Sequence, residues 1–286
     1  MGKIMDGKKV SLQLQDELKQ EVARWRDMGK RVPKLVVILI GEDSASHVYV
    51  KNKEAAADRI GIESSVERLP ETTTEEELLQ RIAAYNKDQS VDGILVQLPL
   101  PKHINEENVL LAISSEKDVD GFHPLNMGHL FVGNPDKIPC TPYGIMTLLS
   151  AYDIDPKGKD VVVVGRSNIV GKPMAHLLLN AGGTVTITHS QTRELKEVTK
   201  RADILIVAIG VGEFITGDHV KEGAVVVDVG MNRNTEGKLV GDVLFSEVEP
   251  LASYITPVPG GVGPMTIAML MEQTVSNVRK IHDGTV

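Results

Sequence analysis

Val161-Val162-Val163-Val164-Gly165-Arg166-Ser167-Asn168-Ile169-Val170-Gly171-Lys172-Pro173 is the stretch whose reading decides the fold. Four consecutive valines read as a strand buried on both faces, as in a parallel sheet covered by helices. Gly165 ends that strand, a turn and a second glycine follow, and Pro173 suits the first turn of a helix. A strand, a tight glycine turn and a helix N-terminus together cradle a pyrophosphate, because backbone N–H groups and the positive end of the helix dipole meet the phosphates. The usual dinucleotide fingerprint is G-x-G-x-x-G/A. Here the turn is G-x-S-x-x-x-G, so an ordinary strand-to-helix turn is the alternative reading.

Downstream of the turn the pattern continues as helix 171–181, strand 184–189, helix 192–201, strand 203–208 and strand 224–229, a Rossmann-type half. Upstream, Val10 to Met28 has an imperfect helical period and Gly29 as a C-terminal cap. Leu35–Ile40 is a buried strand, and the helix after it runs to Ile60, where Gly61 stops it. Ile62–Leu69 alternates like a strand. Thr73 or Thr74 caps a helix to about Tyr85, with Glu75, Glu76 and Glu77 favourable in its first turn. Gly93–Leu98 is a further strand, and residues 121–142 read as a loop-rich hinge. The expectation is an α/β fold with two α/β domains. Residues 1–139 form the first, with a C-terminal helix within 265–286 packing back on it. Residues 140–264 form the second, of Rossmann type.

Composition narrows the function classes. Of 286 residues, 42% are hydrophobic, 24% charged and 3% aromatic, so the core is aliphatic and a soluble globular protein is expected. The net charge of −8 and the lack of a basic stripe argue against a nucleic-acid partner. The single cysteine, Cys140, allows no internal disulfide and favours a reducing compartment. The N-terminus lacks the apolar core of a signal peptide, and no apolar run reaches the length of a membrane span. The reading is cytoplasmic, with no membrane association. The histidines show no metal-ligand spacing, so no metal is expected.

Two groups of residues carry chemistry. NAD-binding units place an acid about 20 residues past the glycine turn, on the ribose 2′-hydroxyl. The second strand here ends Thr186-Ile187-Thr188-His189-Ser190, with no carboxylate. Arg166 in the turn and Ser190 suit a 2′-phosphate, which favours NADP over NAD; alternatively, Ser190 caps the next helix. In the first half, Tyr49, Lys53, Ala56 and Ile60 share one helix face. A lysine on such a face loses hydration, which favours its neutral form and suits it to proton transfer. A lysine whose head snorkels to water is the alternative. Gln97 ends a neighbouring strand and could face the same sheet edge. Asp118 and Asp120, two carboxylates so close, suggest metal or acid–base work, although loop-capping aspartates are commoner.

Five motifs in fixed order closely resemble the bifunctional methylenetetrahydrofolate dehydrogenase/methenyltetrahydrofolate cyclohydrolase family. They are Tyr49-Val-Lys-Asn-Lys53, Gly93-Ile-Leu-Val-Gln97-Leu-Pro-Leu-Pro101, Lys117-Asp-Val-Asp120-Gly-Phe122, Gly165-Arg-Ser-Asn-Ile-Val-Gly171-Lys-Pro173 and Pro257-Val-Pro-Gly-Gly-Val-Gly-Pro-Met-Thr266. The resemblance implies NADP-dependent oxidation of 5,10-methylenetetrahydrofolate, then hydrolysis to 10-formyltetrahydrofolate, in a cleft between the two domains. It implies Lys53 as general acid/base, Gln97 setting its protonation, Tyr49 stacking on the aminobenzoyl ring and Asp120 holding the pterin. Val96, Leu98, Pro259, Gly260, Gly261 and Pro264 would line the folate site. Gly165, Arg166, Ser167, Ser190 and Met231 would bind NADP. A homodimer is the family expectation. A monofunctional dehydrogenase and a non-catalytic NADP or folate sensor stay open. A short-chain dehydrogenase also carries Tyr-x-x-x-Lys, but after its glycine turn, whereas here the pair precedes the turn.

Overall fold

The computed structural model describes residues 2–284. The chain opens with β1 (Lys3–Ile4), α1 (Gly7–Asp27), β2 (Lys34–Ile40), α2 (Ser44–Ile60) and β3 (Glu63–Leu69). It continues through α3 (Glu75–Lys87), β4 (Gly93–Val96), α4 (Glu106–Ala112), α5 (Pro124–Phe131) and α6 (Cys140–Ala151). Next come β5 (Asp160–Val164), α7 (Gly171–Asn180), β6 (Thr184–Thr188), α8 (Leu195–Thr199), β7 (Ile204–Val207) and β8 (Val225–Asp228). The last elements are β9 (Asn232–Arg233), β10 (Leu239–Val240), α9 (Phe245–Val248), β11 (Tyr254–Ile255) and α10 (Val262–His282). The chain divides into two compact units: one takes residues 12–138 and those from 267 on, the other those up to Ser11 and residues 139–266.

The first of these units is built on a three-stranded parallel sheet in the order β3-β2-β4. Central β2 is buried over Leu35–Ile40, as its unbroken aliphatic run requires. Ile38, Ile94, Leu78 and Ile82 pack in one core cluster, and burial of each aliphatic side chain stabilises by roughly 1.5–3 kcal/mol. The start of α2 is fixed by Asp43, whose carboxylate accepts from the Ser46 N–H, and its end by Gly61 in the left-handed conformation. Of the two candidate threonines it is Thr74 that caps α3, in a reciprocal capping box with Glu77.

The other unit has a six-stranded sheet in the order β1-β11-β8-β7-β5-β6, and every strand pair in it is parallel. From β5 the chain goes to β6 on one side and then crosses to β7 on the other. The crevice outside the carboxyl ends of β5 and β7 is therefore the topological switch point, where such sheets bind ligands.

Several expected boundaries shift for local reasons. The helix expected over 192–201 is only Leu195–Thr199: Thr192 Oγ1 accepts from the His189 N–H in a turn, and Glu194 at the N-cap has φ of 48°. The strand ends at Val96, although the Gln97 N–H still reaches Ile38 O at 2.9 Å. Part of the expected hinge is α5, with Pro124 in its first turn and His123 Nδ1 accepting from the Leu125 N–H. The closing helix starts three residues early, so Pro264 lies in its first turn, where proline removes no helical hydrogen bond. The first domain does not begin with residue 1. The segment up to Ser11 belongs to the six-stranded unit, because Lys3 and Ile4 pair with Tyr254 and Ile255.

Candidate active site

At the carboxyl edge of β2 and β4, Lys53 Nζ donates to Gln97 Oε1 at 2.9 Å. Lys53 is 7% exposed, so its head does not snorkel to water. The Gln97 Nε2 donates to Leu98 O at 2.6 Å, which turns the amide oxygen toward the lysine. An amide oxygen can accept from either an ammonium or an amine, more strongly from the ammonium. The pair can therefore keep one geometry in both protonation states. Tyr49 lies one turn before Lys53 on α2, half-buried, and burial pushes its phenol pKa up, so the ring stays neutral. Val96 is buried at the end of β4, and Leu98 follows Gln97.

Of the two aspartates, Asp118 takes the loop-capping role. Asp118 is buried and organises the loop: Oδ1 accepts from the Gly121 N–H, and Oδ2 from the His123 N–H and Asn126 Nδ2. Residue 118 also bridges Ile94 in parallel, so the chain beyond it runs in the direction of β4 toward the Gln97 edge. Asp120 follows two residues on, half-buried. The loop is buttressed from behind by Gln273 of α10, whose Nε2 donates to Val119 O at 2.7 Å and Ile138 O at 2.9 Å.

At the switch point of the six-stranded unit, Gly165 has φ of 127°, and a Cβ there would stand 2.2 Å from Ala208 O. The turn after β5 thus lies flat against the turn after β7, an approach only glycine allows. Ser167 Oγ accepts from the N–H groups of Val170 (3.2 Å) and Gly171 (3.3 Å), which leaves its own hydrogen for a ligand. Arg166 and Ser190 are exposed, and neither side chain has a hydrogen-bond partner among the described residues. Ser190 does not cap the next helix, whose N-cap is Glu194. No carboxylate ends β6. The edge thus presents a helix N-terminus, an uncommitted guanidinium and the uncommitted hydroxyl of Ser190, groups suited to phosphates. Met231 follows β8 and is exposed.

Pro259, Gly260, Gly261 and Pro264 fall in this same unit. Gly260 O accepts from the Lys8 N–H at 2.9 Å, and Pro264 O from Ser11 Oγ at 2.9 Å. These contacts fix the loop against the start of α1. Two buried carboxylates, Asp228 and Asp242, escaped the sequence reading. Each is the lone acid of a short apolar stretch, Val225–Asp228 and residues 239–245, and that is the only local signal of its burial.

A family model described as the tetrahydrofolate dehydrogenase/cyclohydrolase catalytic domain matches residues 5–120, and one described as the NAD(P)-binding domain of the same group matches residues 139–282. The bifunctional protein FolD of Enterococcus faecalis is 62% identical over 280 residues, 98% of this chain and 99% of that protein. The solved structure of the bifunctional FolD methylenetetrahydrofolate dehydrogenase/cyclohydrolase from Campylobacter jejuni has a TM-score of 0.96 at 51% identity, covering 98% of this chain and 100% of that one. The Trypanosoma brucei methylenetetrahydrofolate dehydrogenase-cyclohydrolase, solved with NADP and an inhibitor, has a TM-score of 0.94 at 38% identity, covering 98% of each chain.

Proposed function

The chain belongs to the tetrahydrofolate dehydrogenase/cyclohydrolase family, and from that premise we propose which residues carry each half of its chemistry. The enzyme oxidises 5,10-methylenetetrahydrofolate with NADP to 5,10-methenyltetrahydrofolate and hydrolyses this to 10-formyltetrahydrofolate. NADP supplies the hydride acceptor. Gly165 and the α7 N-terminus would receive its pyrophosphate, Arg166, Ser167 and Ser190 would hold its phosphates, and Met231 would contribute to the same site. Loss of hydride from the methylene bridge leaves an amidinium-like cation, so this step needs no protein acid or base, only alignment.

The hydrolysis does need proton transfer. Neutral Lys53 takes a proton from the water that adds to the methenyl carbon. The resulting ammonium returns it to the departing ring nitrogen, N5, as the carbon–N5 bond breaks, and the hydroxyl of the adduct gives its remaining proton to solvent as the formyl C=O forms, so one proton is released per turnover. Gln97 Oε1 keeps the lysine aimed throughout. Tyr49 stacks on the aminobenzoyl ring, Asp120 accepts hydrogen bonds from the pterin, and Val96 and Leu98 flank the folate. The observation that carries this reading is the 2.9 Å contact from buried Lys53 to the oxygen of an amide already turned by Leu98. The test is an assay with methylenetetrahydrofolate and NADP that follows the methenyl intermediate. The expected course is rise and decay of methenyl with one NADPH per turnover; persistence of the methenyl species overturns the cyclohydrolase half.

We place the enzyme in the cytoplasm as a homodimer. In support, no helix among the described residues is long and apolar enough to cross a membrane, and the one cysteine permits no internal disulfide. The homodimer rests on family resemblance; a monomer mass by sedimentation would remove it.

A further inference from the structure

The loops after β7 and β8 are held by two buried aspartates that the mechanism above does not use. Asp242 Oδ2 accepts from the N–H groups of Ile209 (2.7 Å) and Gly210 (3.0 Å), and Oδ1 from Asn232 Nδ2 (2.8 Å). Asp228 Oδ1 accepts from the N–H groups of Gly230 and Asp242, both at 2.9 Å, and Oδ2 from Val243 N–H at 2.9 Å. The two carboxylates form a chain: Asp228 fixes the backbone of Asp242, and Asp242 fixes residues 209, 210 and 232. Neither forms an ion pair with a cationic side chain among the described residues.

Burying two carboxylates without a cation is costly, and only a dense set of hydrogen-bond donors offsets it. The backbone wraps them so closely that a Cβ at Gly241 would stand 1.8 Å from Asp228 Oδ2, and one at Gly230 would stand 2.2 Å from Asp242 Oδ1. A carboxylate differs from every neutral side chain of its size in accepting on both oxygens at once. Asp242 uses both, on two different loops. One is the turn Ala208–Gly210, against which Gly165 packs at the β5/β7 switch point. The other carries Met231 and Asn232.

We propose that Asp242 is a positioning residue for hydride transfer: through Ile209, Gly210 and Asn232 it fixes the two loops on which the nicotinamide half of NADP is seated. The inference rests on the placement of NADP at the β5/β7 edge given above. Asp228 serves it by holding the Asp242 main chain. The groups of the hydrolysis, Lys53 and Gln97, share no hydrogen bond with this chain of aspartates. A loosened tether therefore slows one activity and spares the other.

The experiment uses the whole enzyme in three variants: Asp242→Asn, the milder Asn232→Ala, and Arg166→Ala. For each, the dehydrogenase kcat and the KM for NADP are measured, along with the cyclohydrolase rate on supplied methenyltetrahydrofolate, the melting midpoint, and the deuterium isotope effect with methylene-deuterated substrate. In Asp242→Asn the dehydrogenase kcat is expected to fall about tenfold or more, since hydrogen bonds to a charged group are lost. The isotope effect rises as the hydride step becomes limiting, and the cyclohydrolase rate holds. Asn232→Ala moves the same quantities less. Equal loss of both activities, with an unchanged isotope effect, assigns Asp242 to stability alone and overturns the proposal. So does an unchanged dehydrogenase in both Asp242→Asn and Asn232→Ala while Arg166→Ala raises the KM for NADP. If Arg166→Ala leaves that KM unchanged, the placement of NADP is what fails, and the positioning role falls with it.

Discussion

At the carboxyl edge of the three-stranded sheet, Lys53 is buried and its polar partner is already in place. At the carboxyl edge of the six-stranded sheet, Arg166 and Ser190 stand in solvent with no side-chain partner. Both edges follow the same rule for parallel sheets, yet one presents committed side chains and the other uncommitted ones. With the roles proposed above, the difference follows from the chemistry. Proton transfer needs a group whose protonation and aim are set before substrate arrives, so the protein supplies burial and a neutral acceptor. A phosphate brings its own charge, so its partners wait hydrated, and the rigid part is the backbone turn.

Removing the committed group tests this contrast most severely. Lys53→Ala is expected to slow the cyclohydrolase by about two to four orders of magnitude, while NADP still binds and the melting midpoint stays near wild type. A wild-type hydrolysis rate would show that the buried pair is structural. On the uncommitted side, Arg166→Ala should raise the KM for NADP roughly tenfold to a hundredfold, the worth of a charge-assisted contact, with little change for NAD. Equal losses with both cofactors would break the 2′-phosphate assignment. Gln97→Glu sharpens the point about neutrality. A carboxylate beside Lys53 favours the ammonium, so the pH at which hydrolysis is half-maximal should rise by about one unit or more. An unmoved pH profile would mean that the amide only fills space.

The smallest effect concerns Asp228, whose carboxyl is pushed up to about 6, first by burial and then by Asp242, against the pull of three backbone N–H groups. Its folded value lies above the unfolded one, so the stability it contributes is fully present below the unfolded value and is lost as pH rises through 6. Between pH 5 and pH 7 that loss is about 1 kcal/mol. Carbon-13 titration of the Asp228 carboxyl should give a midpoint near 6; a midpoint near 4 would refute it.

Sequence alone exposed most of the fold because the valine and leucine runs of β2 and β5 and the caps at Thr74 and Gly61 are local signals. It missed β1, whose two residues are too few for a period, and it overextended α8 because nothing in the chain announces a positive φ at Glu194. Of the site proposed above, Lys53 stands out in the sequence on its helix face, and Arg166 and Ser190 by the missing acid. The turned amide of Gln97 depends on Leu98 O, and the tether at Asp242 joins residues 33 positions apart; neither is written in any local pattern.

The division of the chain has a consequence for its synthesis. Residues up to Ser11 belong to the six-stranded unit and those from 267 on to the three-stranded one, so the chain passes from unit to unit at 11/12, 138/139 and 266/267. On a ribosome the three-stranded sheet is made well before Gln273 and Asn277, which tie down the Asp92–Ile138 region from 135 residues or more further along the chain. β1 is made some 250 residues before β11, the strand with which it pairs. The three-stranded unit therefore holds an unfinished surface until the other has been made, and a nascent chain that stalls short of α10 leaves that surface exposed to chaperones.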